Sequence, residues 1–436
     1  MTLAGAAHGV PTGLRARFRP DATTILIVYT ALLLLIPSDQ RVGPLGGAGG
    51  PASIIGLLAG VYWCWMRLSL ARTPDLPPAQ PVKVAAFVFV AAVLASFPVA
   101  MLRPLAGSEA SQADLGVLRI LSAGGVLLLA HDGIATRTRF RALVGWLVGL
   151  GVVQALLGLV QFLTHSDVIG SLTVPGLVKS QTFAGVVERG GFLRPAGGAM
   201  SPLEYGLVLS MIVPLAITVA LFERRGTGGW RRSIPALLMA SACLISGSRS
   251  AIAGLAVVMI VLFPAWSWAI RRRMAVVGLA GLVGVYLLVP GMIGTLRYLF
   301  TESENDPSAA SRTGSYGIAE LFIGRSPWLG RGFGTFLPQY RILDNEYLLL
   351  TIETGLIGLF SFLALVVVAA TCGVLGRKRE PDEYLAQTGQ ALAASILAGA
   401  VLLAFFDGFS FPMAFGLVFL VIGMAGAYFR LVRGDD

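Results

Sequence analysis

Twelve mostly apolar runs follow one another along this chain, and most are long enough to cross a bilayer. They lie near 22–37, 51–70, 82–102, 114–131, 142–164, 199–222, 233–247, 249–269, 274–295, 345–373, 386–406 and 409–430. A spanning helix needs about 20 apolar residues. A soluble core could not absorb this much apolar surface. Of 436 residues 56% are hydrophobic and only 13% charged, against about 25% charged in soluble domains. In lipid each run must satisfy its own backbone N–H and C=O groups, so the runs are expected as helices. The expected fold is an all-α polytopic membrane protein of about 12 transmembrane helices, one integral membrane domain over 1–436.

The net charge of +10 does not point to nucleic acid, because the charge is split into short clusters between apolar runs. Those clusters give the orientation. Arg15/Arg17/Arg19, Arg67/Arg72/Lys83, Arg137/Arg139/Arg141, Arg224/Arg225/Arg231/Arg232, Arg271/Arg272/Arg273, Arg377/Lys378/Arg379 and Arg430/Arg433 fall on one side, 21 basic residues in all. The short loops opposite hold only Arg41, Arg103 and Arg249. The basic side is expected in the cytoplasm, with both termini there. The run at 22–37 follows three arginines as a signal peptide would, but no small-residue cleavage site follows it, so it is read as a retained helix. Cys64, Cys243 and Cys372 sit in apolar runs, too far apart for a zinc site.

Two outer loops are long, about 165–198 and 296–344, and both mix aromatics, glycines and arginines. In the second, Pro307-Ser308 signals a helix start and Ser326-Pro327 its end. Ile318, Leu321 and Phe322 at helical spacing suggest an amphipathic helix lying along the membrane surface. Gly330-Arg331-Gly332-Phe333-Gly334 resembles a phosphate loop but follows no strand, and reads better as a tight re-entry of the loop toward the membrane. Glu302-Ser303-Glu304-Asn305-Asp306 lacks the spacing of a calcium loop and reads as a solvated stretch. No metal site and no cofactor motif stands out.

The outer arginines are more informative. Arg194, Arg249 and Arg312 each lie near an expected helix N-terminus, where free N–H groups and the helix dipole favour anions. Arginine adds a fixed fork suited to phosphate oxygens. Three such devices on one face suggest a diphosphate, while headgroup contact remains the alternative for each. Arg119, inside a run, is either functional or snorkelling. Asp344, in Asp344-Asn345-Glu346-Tyr347, reads as an N-cap or as a general base. Glu204 and Glu353 are candidates for buried, paired carboxylates.

Taken in order, Arg194-Pro195, Ser201-Pro202, Ser246-Gly247-Ser248-Arg249-Ser250, Ser311-Arg312, Arg325 to Gly334, Asp344-Asn345-Glu346-Tyr347-Leu348 and Glu353 to Gly358 resemble the O-antigen ligase and O-antigen polymerase (Wzy-C) superfamily. The resemblance covers about 190–360. It implies a GT-C-like glycosyltransferase with its active site on the outer face of the plasma membrane. The donor would be a polyprenyl-diphosphate-linked glycan and the acceptor a glycan or lipid-linked glycan, with no metal or cofactor. A chain-length regulator is left open as a partner. Arg249 and Arg312 would contact the diphosphate and Asp344 would activate the acceptor, making these three catalytic. Arg194, Arg119, Glu204, Asn345, Tyr347 and Glu353 would bind substrate. Ligases usually carry His-Asn where this chain has Asp344-Asn345, so the reading leans to a polymerase or a ligase with another acceptor. A flippase of lipid-linked glycan and a peptidoglycan-polymerising glycosyltransferase stand as alternatives. Against the flippase, the sequence shows neither an inverted repeat nor an interrupted helix.

Overall fold

The computed structural model describes residues 21–70, 80–167, 169–170, 172–179, 187–189, 192–223, 229–288 and 307–434, with the backbone alone at 70, 187–189, 192–193, 229–230, 282, 284–288 and 307–313. The helices are α1 (Ala22–Leu35), α2 (Pro51–Leu70), α3 (Pro81–Met101), α4 (Gly107–Gly133), α5 (Arg137–Thr164), α6 (Pro202–Phe222), α7 (Ile234–Ile245) and α8 (Arg249–Leu262). They continue with α9 (Trp268–Leu288), α10 (Pro307–Arg325), α11 (Glu346–Arg377), α12 (Glu383–Leu402) and α13 (Pro412–Arg433). Short strands β1 (Gln40–Val42) and β2 (Leu177–Lys179) pair antiparallel, as do β3 (Val187–Arg189) and β4 (Phe192–Arg194).

The starts of these helices are written in the chain. Asp21, Thr136, Ser201 and Asp382 each accept a first-turn N–H, and Pro opens α2, α3, α6 and α13, where its missing N–H costs nothing. In α13 and α6, 89% and 83% of the apolar span is buried, against 17% in α2. The first two are therefore the centre of the bundle and α2 its edge. On the outside, Leu58, Val61, Trp65, Val88, Ile260 and Phe360 stand exposed. Such a surface suits lipid, not water. This is a polytopic helical membrane protein.

Among the described residues, eight helices are long and apolar enough to cross a membrane, where the sequence suggested about twelve; the end of the run at 274–295 lies outside the described residues. The runs at 22–37, 233–247 and 249–269 form helices of 14, 12 and 14 residues. A 12-residue helix is about 18 Å long, short of the ~30 Å hydrocarbon core. Apolar runs measure hydropathy and overlook the turns that cut them, here Ser246-Gly247-Ser248 and the Phe263–Ala265 turn.

α11 holds the most unusual backbone. At 32 residues a straight helix would be about 48 Å long. It breaks at Gly355, whose φ of 67° and ψ of −172° only glycine readily adopts. The break frees carbonyl and N–H groups that lipid could not satisfy, and the 327–336 segment takes them up. Arg331 N and Gly332 N donate to the Ile352 and Glu353 carbonyls (3.0 and 2.8 Å), while Leu356 N and Ile357 N donate to those of Pro327 and Trp328 (2.8 and 3.2 Å). The fit is close: a Cβ on Gly355 would lie 2.2 Å from the Trp328 carbonyl carbon. This interrupted helix corrects the sequence expectation that no helix is interrupted. A glycine within an otherwise apolar run gave no sign of it.

A second clasp joins α6 to α13. Glu204 is fully buried and is held by backbone N–H groups and by the Ser38 hydroxyl, which donates to Oε1 at 3.5 Å. Oε1 accepts from Met413 N (2.7 Å) and Ala414 N (3.3 Å), and Oε2 from Met200 N (2.8 Å). It thus caps the first turn of a neighbouring helix. Glu204→Ala leaves these donors buried and unpaired. We expect the detergent-solubilised variant to lose roughly 2–4 kcal/mol of stability, read as a lowered thermal midpoint.

Candidate functional site

One end of the bundle gathers the β1–β2 and β3–β4 pairs, the 327–345 segment and the N-termini of α6, α8, α11 and α13. Two features there stand out, an arginine-bearing turn and a polar cavity.

The turn joins α7 to α8. Gly247 takes φ 60° so that the chain reverses within Ser246-Gly247-Ser248, and Arg249 opens α8. Arg194, at the end of β4, lays its side chain along this turn and donates from Nε to the Ser246 carbonyl at 3.2 Å. Its aliphatic carbons lie over Gly247. Two arginines far apart in sequence are thereby brought to one turn, in which the Ser248 and Ser250 hydroxyls are bonded to each other at 2.6 Å. The side chain of Arg312 lies outside the described residues; its backbone belongs to α10.

α8 packs against α12, with Gly254 against Leu402. The start of α11 meets the same α12 terminus, where Glu346 N donates to the Leu403 carbonyl (2.9 Å). The N-cap of α11 is Asn345, whose Oδ1 accepts from Tyr347 N (3.0 Å) and Leu348 N (3.2 Å). The capping alternative for Asp344 is thus corrected. Asp344 sits one residue earlier with φ 52°, a left-handed position that aspartate tolerates better than most residues. Tyr347 reaches back to α12, donating its hydroxyl to the Ala400 carbonyl at 2.5 Å.

Asp407, which the sequence did not single out, holds this corner. Its Oδ1 accepts from Asn345 N at 2.9 Å. Burial, together with the charge of Asp344, pushes its carboxyl up to about 6, although backbone N–H groups of Asn345, Leu343 and Asp344 pull the other way. The folded state therefore holds this proton more tightly than the unfolded chain, where an aspartate titrates near ~3.9. Its contribution to stability is complete at acid pH and is lost as pH rises from about 4 through about 6. Thermal unfolding of the wild type should lose stability across that interval relative to Asp407→Asn, by at most about 1.4 kcal/mol per pH unit.

The cavity, about 390 Å³, opens between α1, α2, α4, α11 and α13 under the 333–338 segment. Its wall contains Arg119, Glu346 and Glu353. Arg119 is enclosed by protein yet keeps part of its surface on the cavity. It donates to the Phe409 carbonyl, lies 5.4 Å from the centre of the Phe415 ring, and feels the charges of Glu353 and Glu346. Glu353 accepts from Phe336 N at 3.1 Å and so pins the segment above. Glu346 accepts from Phe409 N at 2.8 Å through Oε2, while its Oε1 is buried with no hydrogen-bond partner among the described residues.

The glycine-rich segment is not a phosphate cradle, because the N–H groups of Arg331 and Gly332 are already given to α11. The side chain of Arg331 is anchored as well, bonded to Glu109 (2.5 Å) and set 4.7 and 5.1 Å from the Phe322 and Tyr340 ring centres. Arg103 holds the other Glu109 oxygen at 2.9 Å. Glu109 lies far from this segment in sequence and nothing in its spacing announced the contact.

A comparison with known families bears on the segment that carries the arginine turn and the start of α11. Residues 234–363 match the family model described as O-antigen ligase. No curated protein matches the chain. The O-antigen ligase match includes Arg249, Arg312, Asp344, Asn345, Glu346, Tyr347 and Glu353; Arg119, Arg194 and Glu204 come from outside it. O-antigen ligases are glycosyltransferase-like membrane enzymes that work between a lipid-linked glycan donor and an acceptor in the membrane.

Proposed function

We propose that this protein is a membrane glycosyltransferase that polymerises or transfers a polyprenyl-diphosphate-linked glycan on the outer face of the plasma membrane. The observation that carries this reading is the meeting of Arg194 with the Arg249 turn, on the helix α8 that packs, like the start of α11 beside Asp344, against the end of α12. Arg194 and Arg249 hold the donor diphosphate, with Arg312 as a third contact from α10. Asp344 takes the proton of the acceptor hydroxyl. The acceptor oxygen then bonds to the anomeric carbon, the bond from that carbon to the phosphate oxygen breaks, and polyprenyl diphosphate leaves with its electron pair. The arginines face the charge that develops on the leaving group, where fixed donors lower the barrier most. Asn345 and Tyr347 set the position of Asp344 by fastening the start of α11.

The interrupted α11 gives the flippase reading some support, since broken helices often carry transport sites. Here, however, the 327–332 segment takes up carbonyl and N–H groups on both sides of the break, and these are not left open to a passing solute. The test is direct. Purified protein in nanodiscs, given polyprenyl-diphosphate repeat units alone, should build longer lipid-linked chains if it is a polymerase. With a separate acceptor it should move glycan off the carrier if it is a ligase. Movement of lipid-linked glycan across a vesicle membrane without any new glycosidic bond would overturn the proposal.

A further inference from the structure

The transfer chemistry at Arg194, Arg249 and Asp344 leaves the polar cavity beside it unused. We propose that this cavity is a sugar-binding subsite that takes one neutral pyranose unit of the glycan being handled. Glu346, Arg119 and Gln112 bond its hydroxyls, and Phe333, Phe336 and Phe415 cover its C–H face. The proposal rests on the glycosyl-transfer reading for the source of that sugar, and on the cavity alone for its chemistry.

The volume of about 390 Å³ falls within the ~300–1,000 Å³ range of small-molecule sites. A channel for a polyprenyl tail would be apolar, whereas this wall carries Arg119, Glu346 and Glu353, groups that are costly to hold within a membrane bundle. A diphosphate is disfavoured too. Arg119 and Arg41 are balanced in the wall by Glu346 and Glu353, so the site favours neither an anion nor a cation. Paired carboxylate and guanidinium groups instead suit vicinal hydroxyls, each of which both donates and accepts.

The clearest sign is Glu346 itself. Its side chain is fully buried in the cavity wall and Oε1 lacks a partner among the described residues, a state that costs free energy unless a ligand donor completes it. Arg119 likewise gives one N–H group to Phe409 and keeps surface on the cavity. The aromatic rings in the wall add the flat apolar surfaces against which the C–H face of a pyranose packs. Glu346 lies two residues from Asp344, so the cavity wall and the proposed base share the start of α11.

The test uses full-length protein in nanodiscs and saturation-transfer NMR with glucose, galactose, N-acetylglucosamine and rhamnose as separate probes. At least one should bind. Gln112→Ala, an exposed position in the wall, should weaken it at least about threefold. Ser410→Trp, placed at an exposed position in the wall, should abolish it while size-exclusion elution stays that of the wild type. No binding by any probe, or binding unaffected by Ser410→Trp, overturns the subsite. Transfer kinetics then name the source. In Gln112→Ala, a raised KM for the acceptor assigns the sugar to the acceptor, a raised KM for the donor assigns it to the donor, and both KM values unchanged overturn the proposal. Sugar binding without transfer would sink the glycosyl-transfer reading and spare the subsite; transfer without sugar binding would do the reverse.

Discussion

Replacing Arg249 by alanine should leave a protein that inserts and folds but transfers glycan about 10²–10³-fold more slowly, the loss typical of removing one donor that faces developing charge. The fold should survive because Arg249 opens α8 at a half-buried position, while the turn itself is made by Gly247 and by the bond from Arg194 to Ser246. Arg249→Lys should recover only part of the rate, since lysine keeps the charge but loses the planar fork. Arg194→Ala should cost less in the chemical step and more in stability, because its Nε also braces the turn. In cells the same variant reports the reaction. Lipid-linked material reduced to single repeat units marks a polymerase, and long chains stranded on the carrier mark a ligase. A wild-type rate and glycan profile in Arg249→Ala would remove the arginine turn from the mechanism.

The largest structural effect is expected at Gly355→Val. The position needs φ 67°, and a Cβ there would lie 2.2 Å from backbone of the inserted segment, which cannot step aside as a flexible side chain could. The strain alone is about 1–3 kcal/mol, before the loss of the four hydrogen bonds that stitch 327–332 to α11. We expect the variant to elute as aggregate on size exclusion and to lack activity. Gly145→Ala in α5 is the control. A Cβ there meets nothing within 4 Å, and alanine favours the helix by up to about 1 kcal/mol. It should behave as the wild type or better. A well-folded, active Gly355→Val would show that the break does not matter to the site.

Hydropathy made the helical membrane class legible at once, because a bilayer leaves an apolar run of this length no other way to satisfy its backbone. The lengths of the individual helices were not legible. The run at 233–247 has the composition of a span but only 12 helical residues, and composition does not report where a chain turns. The candidate site was half legible. Permanent charges such as Arg194, Arg249 and Arg119 stand out in apolar surroundings, and Asp344 stands out by its place at a helix start. Which of them meet depends on tertiary packing, and the structure separates the turn bearing Arg194 and Arg249 from the cavity bearing Arg119 and Glu353. Glu346 and Asp407 went unnoticed because each looks like an ordinary helix-end carboxylate. Their burial becomes visible only when α12 and the Phe409 turn are set against them.

The stitched break in α11 also bears on how the chain assembles. A helix interrupted in a membrane would be hazardous if its partners arrived late from distant sequence. Here the pairs Arg331–Ile352 and Trp328–Ile357 are only about twenty to thirty residues apart, and the inserting segment is synthesised first. Closing so short a loop costs little entropy, and such local contacts form early. The break in α11 can therefore be set before α12 and α13 are made, whereas the corner at Asp344 is completed only when Ala400, Leu403 and Asp407 arrive.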